Sequence, residues 1–181
     1  ASPKTSPDST TNYELTITDN KGCKDKDTIQ VTVYELPDAD AGTDDSICTG
    51  SSIQFNGSGG IIYTWLPIDD LTNPNVSNPT ANPTNTQTYE LTVTDSKGCQ
   101  NKDSILLTVN PLPTADAYPD TLVCFQEPVP MGATGGVSYR WAPTTGLNNP
   151  NIQNPTANLS STVTYTVTVT DTKGCEDTAM A

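Results

Sequence analysis

The stretch Tyr89-Glu90-Leu91-Thr92-Val93-Thr94-Asp95-Ser96-Lys97-Gly98-Cys99 decides the fold. Its first six residues alternate apolar and polar, which sends Tyr89, Leu91 and Val93 to one face of an extended chain and Glu90, Thr92 and Thr94 to the other. That pattern is a half-buried strand. Asp95-Ser96-Lys97-Gly98 then makes a turn: the Asp side chain bonds to nearby backbone, the Gly supplies a positive φ, and residues 104–109 return as a second strand.

The hairpin is written three times. Thr18-Asp19-Asn20-Lys21-Gly22-Cys23 and Thr170-Asp171-Thr172-Lys173-Gly174-Cys175 lie 76 positions to either side of Thr94-Asp95-Ser96-Lys97-Gly98-Cys99. The same offset relates Tyr13, Tyr89 and Tyr165, Trp65 and Trp141, Cys48 and Cys124, and Pro3, Pro79 and Pro155, with no insertion or deletion. Self-similarity at a fixed period is the mark of a repeat array. The 181 residues then divide into the end of one repeat (1–35), a complete repeat (36–111) and a third (112–181) expected to lack its last strand. An opening Ala1-Ser2-Pro3 with neither initiator Met nor leader, and a close at Ala181, fit a window cut from a longer polypeptide.

Within 36–111 the punctuation predicts extended stretches at 39–48, at 52–56 after the Thr49-Gly50 turn, and at 61–66 after Gly59-Gly60, with Tyr63 and Trp65 on one face. The connection 69–78 holds too many prolines for an interior strand and is expected to wrap the edge. No stretch has useful helical periodicity. About seven short strands, with a Trp on the third and a Tyr opening the penultimate one, predict an all-β chain of immunoglobulin-like sandwiches set end to end. Trp65, Trp141, Tyr13, Tyr89 and Tyr165 are the expected core aromatics.

Composition removes several functions. Lys+Arg 8 against Asp+Glu 21 gives a net charge of -13, which repels nucleic acid. There is no His to serve as a base, a triad member or a zinc ligand, so an enzyme is not expected. No apolar run approaches the roughly 20 residues of a membrane helix.

The pattern Tyr-x-Trp-x-Pro (63–67, 139–143), then Asn-Pro-Asn (73–75, 149–151), Asn-Pro-Thr-Ala-Asn (78–82, 154–158) and Thr-Tyr-x-[Leu/Val]-Thr-Val-Thr-Asp-x-Lys-Gly-Cys resembles the PKD-like repeats of very large secreted Bacteroidota surface proteins. These include gliding-motility adhesins exported by the type 9 system. The resemblance covers essentially the whole chain. It implies an Ig-like fold, tandem arrays, an extracellular cell-surface address and a role in adhesion or as a stalk.

Five cysteines in a chain of secreted character point to disulfides, and small sandwiches gain most from them. Two pairings are open. Within repeats, Cys48–Cys99 and Cys124–Cys175 would leave Cys23 alone. However, Cys48 follows the first strand and Cys99 the last hairpin, at opposite ends of a sandwich about ten residues long, well beyond the roughly 7 Å between bridged Cα atoms. Head-to-tail stacking would instead bring Cys48 to Cys175, with Cys23, Cys99 and Cys124 pairing to repeats outside the sequence.

Other features have a structural and a functional reading. Trp65 and Trp141 can stack on sugars but at this place in a sandwich are usually core. Asp19, Asp95 and Asp171 suit hydrogen bonding inside their turns. Asp40, Asp44, Asp116 and Asp120 recur near repeat junctions, where calcium would stiffen an array, although no recognised calcium motif is present. The pattern Asp-[Ser/Thr]-aliphatic at Thr28, Ser46, Ser104, Thr121 and Thr178 resembles an O-glycosylation sequon of secreted Bacteroidota proteins. The expected function is a structural stalk of a cell-surface adhesin. Its partners are neighbouring repeats and, through lateral association, other chains. The alternative is a module gripping surface polysaccharide through loops such as 69–78.

Overall fold

A computed structural model describes residues 2–124 and 127–181. Every regular element among them is a strand. The first hairpin is β1 (Thr11–Thr18) and β2 (Lys24–Val31). There follow β3 (Asp45–Cys48), β4 (Ile53–Gln54), β5 (Ile62–Leu66), β6 (Leu71–Thr72), β7 (Thr80–Ala81), β8 (Gln87–Thr94) and β9 (Gln100–Asn110). The remainder comprises β10 (Asp116–Tyr118), β11 (Pro128–Pro130), β12 (Gly132–Thr134), β13 (Ser138–Ala142), β14 (Thr156–Asn158), β15 (Thr166–Thr170) and β16 (Glu176–Met180).

Strands β3 to β9 form two sheets, one of order β3-β9-β8-β5 and one of order β4-β7-β6. One expectation needs correction. The extended stretch 39–48 ladders only over β3; ahead of it Asp40 makes a single bridge to Ser58, and the Ala41 N–H donates to Asp103 Oδ2 at 2.8 Å. The connection 69–78 holds no interior strand: β6 pairs with β7 for two residues at the edge of the sheet β4-β7-β6, beside Pro74 and Pro79, which have no N–H to offer. In 112–181, β16 pairs with β15 from Thr170↔Glu176 to Thr166↔Met180 and matches the first part of β9 at offset 76. A tight turn closes its own hairpin without help from distant residues.

Contacts group residues 1–43, 54–81 and 88–105 into one unit and residues 44–53, 82–87 and 106–181 into another, a division that does not follow the repeat boundaries. In the first unit β1 pairs with β2 and β5 with β8. Phe55 lies between Trp65 and Tyr89, tilted to the first ring and edge-on to the second, with ring centroids 5.1 Å away in each case. Trp65, Leu91 and Val93 are fully buried around it, the face that alternation assigned to the core.

In the second unit the sheet β13-β15-β16 and the pairs β11-β14 and β10-β12 enclose Val129, Met131, Ala133, Trp141, Ala157, Tyr165, Val167 and Val169. β3 lies parallel to the end of β9, from Asp45↔Leu107 to Cys48↔Asn110. Glycine is required at one recurring bend. A Cβ on Gly59 would stand 1.8 Å from the carbonyl oxygen of Asp38, and one on Gly135 2.0 Å from that of Thr114. The peptide bonds Leu66-Pro67 and Ala142-Pro143, again 76 residues apart, are cis, as is Tyr118-Pro119.

Candidate functional site

The three hairpin turns are built alike. Asp19 Oδ1 accepts the N–H groups of Lys21 and Cys23, both at 2.8 Å. Asp95 does the same for Lys97 and Cys99 at 2.8 and 2.9 Å, and Asp171 for Lys173 and Cys175 at 2.8 and 2.9 Å. Gly22, Gly98 and Gly174 close the turns at φ of 84°, 84° and 83°, where a side chain is disfavoured. Each turn therefore presents one Lys and one Cys from a backbone tied at both ends to the same carboxylate.

In the second unit this frame meets the turn that follows β3. Cys175 is bonded to Cys48, with the two Cα atoms 5.6 Å apart, an unexceptional bridging distance. Beside it Lys173 Nζ donates to Asn110 Oδ1 at 2.8 Å. The Asn110 carbonyl accepts the Thr49 N–H at 2.8 Å and the Thr49 hydroxyl at 3.1 Å, so a buried amide residue is tied on both its side chain and its backbone. In the first unit the same two repeat positions meet again: Lys97 Nζ stands 4.9 Å from the ring centroid of Tyr34, 76 residues before Asn110. Sequence reasoning found the cysteine and passed over the lysine. The signal was there, in the recurrence of Lys21, Lys97 and Lys173.

The pairing within repeats does not form. Cys48 is level with Asn110, the last residue of the 11-residue β9, whereas Cys99 precedes its first; Cys23, Cys99 and Cys124 are free thiols.

Trp65 and Trp141 are closed to sugars. Both are buried, and their Nε1–H groups donate to the carbonyls of Val76 and Ile152, each at 3.0 Å. Tyr89 and Tyr165 are core residues as well, but Tyr13 is not: it is half-exposed and its hydroxyl shares a 2.6 Å hydrogen bond with Thr5 Oγ1. The Tyr165 hydroxyl donates to the Thr145 carbonyl. The Tyr89 hydroxyl has no partner among the described residues. Burial, reinforced by the negative charge of Asp70, pushes the Tyr89 hydroxyl above its ordinary pKa, and burial alone does so for Tyr165.

The hydroxyls of Thr28, Ser46, Ser104, Thr121 and Thr178 all lie on exposed residues. The carboxylates that precede Ser104 and Thr178 are already employed: Asp103 holds the Ala41 N–H, and Asp177 Oδ2 accepts that of Ala115 at 3.1 Å. Asp40 Oδ1 accepts the Gly42 N–H at 2.9 Å and Asp44 Oδ1 that of Leu106 at 2.8 Å. Among the described residues no three or more His, Cys, Asp or Glu side chains gather into a group able to hold a metal ion. No helix among those residues is long and apolar enough to cross a membrane.

No family model matches the chain, and no curated protein matches it. Among solved structures it is similar to a PKD domain studied in solution, 25% identical over 45% of this chain and 93% of that one, with a TM-score of 0.37. It is similar to titin domains crystallised with telethonin, 14% identical over 83% of this chain and 96% of that one, with a TM-score of 0.35. The insect immune protein hemolin is 12% identical over 93% of this chain and 54% of its own, with a TM-score of 0.41.

Proposed function

We propose that the chain is a non-enzymatic structural module: PKD- or Ig-like sandwiches of 76 residues in tandem, forming an acidic extracellular stalk that carries recognition domains located elsewhere in its parent. The observation that supports this reading is the junction made by the Cys48–Cys175 bond, Lys173 and Asn110. A covalent link between residues 127 apart, at positions that belong to different copies of the repeat, suits a material whose neighbours are meant to stay in register. Such a bond persists in an oxidising compartment, consistent with an extracellular address. A net charge of -13 keeps chains of this kind soluble and mutually repelling.

Peptide mapping without reductant, paired with small-angle scattering before and after reduction, tests the proposal. The expected result is a Cys48–Cys175 peptide and a gain in flexibility once it is cleaved. Free Cys48 in protein recovered from an oxidising compartment, or scattering indifferent to reductant, would overturn it. Saturable binding to a glycan array, abolished by substitutions at exposed residues of 69–78, would establish the polysaccharide-binding alternative in its place.

A further inference from the structure

Ile61, Ile62, Leu66 and Ile68 are each more than half exposed, four aliphatic side chains close together inside the complete repeat. Ile62, Thr64 and Leu66 stand on the face of β5 opposite to the buried Trp65. The fold does not ask for them. At offset 76 Ser138, Arg140, Ala142 and Thr144 take the places of Ile62, Thr64, Leu66 and Ile68, and β13 pairs with β15 in the register that β5 makes with β8. Nor does the exposure depend on where the sequence begins, because Val137, at the place of Ile61 and with a complete repeat ahead of it, is about as open. A cluster of exposed aliphatic side chains that the fold does not require marks a contact surface.

Charge says what fits this stripe. No residue from Ser46 to Ile68 is charged, in a chain of net charge -13, and Glu90, level with Leu66 on β8, is paired with Lys102 at 2.6 Å. An uncharged stripe is where two copies of an acidic chain approach with least repulsion. It is also self-complementary. With the strands antiparallel and Thr64 on a two-fold axis, Ile62 of each copy meets Leu66 of the other. Asp69 and Asp70, which follow the Leu66 end, then lie at opposite ends of the contact, whereas a parallel arrangement would bring all four carboxylates together. Strand addition is not the mode, because on the outer edge of β5 the Trp65 N–H already donates to the Pro74 carbonyl at 2.9 Å. The two sheets meet through side chains, face to face.

We propose that the exposed stripe of β5 is a lateral contact between two copies of this chain, antiparallel and related by an axis through Thr64. The contact would give a stalk a sideways partner but does not rest on the stalk reading: a chain that stays monomeric overturns it and leaves the mapping of Cys48–Cys175 unaffected.

A contact of this size falls at the weak end of interfaces, so the test is run at high concentration. Sedimentation equilibrium uses the whole chain, with its free thiols alkylated in the absence of reductant so that Cys48–Cys175 persists. A monomer–dimer equilibrium is expected, and it should strengthen with salt as repulsion between acidic copies is screened. The triple variant Ile62→Ser, Leu66→Ala, Ile68→Thr carries the residues that the next copy of the repeat already uses, so it should keep its tryptophan fluorescence while associating at least about tenfold more weakly. Leu15→Ser with Ile17→Ser, in the first hairpin, should leave association unchanged. In a background of Cys23→Ser, Cys99→Ser and Cys124→Ser, Thr64→Cys should form a disulfide-linked dimer on mild oxidation, and Arg140→Cys, at the matching place, should not. A monomer up to millimolar concentration, a dimer indifferent to the triple variant, a dimer lost with Leu15 and Ile17, or cross-linking at Arg140→Cys alone overturns the proposal. So does binding of the monomer to phosphatidylcholine vesicles that the triple variant abolishes, which would assign the stripe to a lipid surface.

Discussion

The first hairpin and its counterpart 76 residues later have nearly the same sequence and opposite surroundings. Leu15, Ile17 and Ile29 are 64%, 58% and 66% exposed, whereas Leu91, Val93 and Ile105, at the matching positions, are 0%, 0% and 5% exposed. Their local structure does not register the difference. Both close on an Asp whose carboxylate takes two N–H groups, and both carry a cross-strand pair on the outer face, Lys26 to Glu14 at 2.8 Å and Lys102 to Glu90 at 2.6 Å. Turn and register are thus short-range properties written into each copy. Burial depends on residues far away in sequence, and it is burial that stabilises, because an isolated two-stranded hairpin is marginal in water.

The largest test of that contrast is at the turn cysteines. Cys175→Ser opens a loop of 127 residues and should lower the free energy of unfolding by up to about 5 kcal/mol. Cys23→Ser, at the same turn position and without a partner, should change it by less than about 0.5 kcal/mol. Urea unfolding without reductant measures both, and equal effects would erase the distinction between the copies. Next comes the apolar face: Leu91→Ala should cost about 3 kcal/mol and Leu15→Ala within about 0.5 kcal/mol, by the same measurement.

A smaller effect separates the two buried tyrosines. Tyr165→Phe forfeits the bond to the Thr145 carbonyl and should cost about 1 kcal/mol. Tyr89→Phe removes a hydroxyl that has no partner and should be close to neutral or stabilising in thermal unfolding. The smallest is with pH. Because both phenols are raised in the folded chain, the folded state holds its protons more tightly than the unfolded one. Stability from these groups is complete below the unfolded value of about 10 and declines as pH rises through the higher folded value. Urea midpoints at successive pH values should fall above that point, and the Tyr89→Phe and Tyr165→Phe double variant should flatten the fall.

What the sequence discloses follows the same division. The strands β8 and β15, the Asp-centred turns and the glycines that close them were legible because each depends on residues within one hairpin. The buried tryptophans were legible too, since alternation places them. Tyr13 is half-exposed where its counterparts Tyr89 and Tyr165 are core, because burial depends on residues outside the hairpin. The prolines of 69–78 mark a sheet edge, and β6 lies at one, with a ladder of two residues that no local pattern announces. The Lys173 and Asn110 contact joins residues 63 apart, and its chemistry differs from that of Lys97 and Tyr34, so only the repeated lysine hinted at it. The cysteine pairing was half legible: geometry favoured one scheme, and the pairing of β3 with the end of β9 explains why.

The bond between Cys48 and Cys175 also changes how the polypeptide answers a pull on its two ends. Tension entering at one end crosses directly from sulfur to sulfur, so the backbone between them bears no load however far the rest is drawn out. Reduction would release that slack, 127 residues at about 3.4 Å each, or roughly 430 Å of contour length.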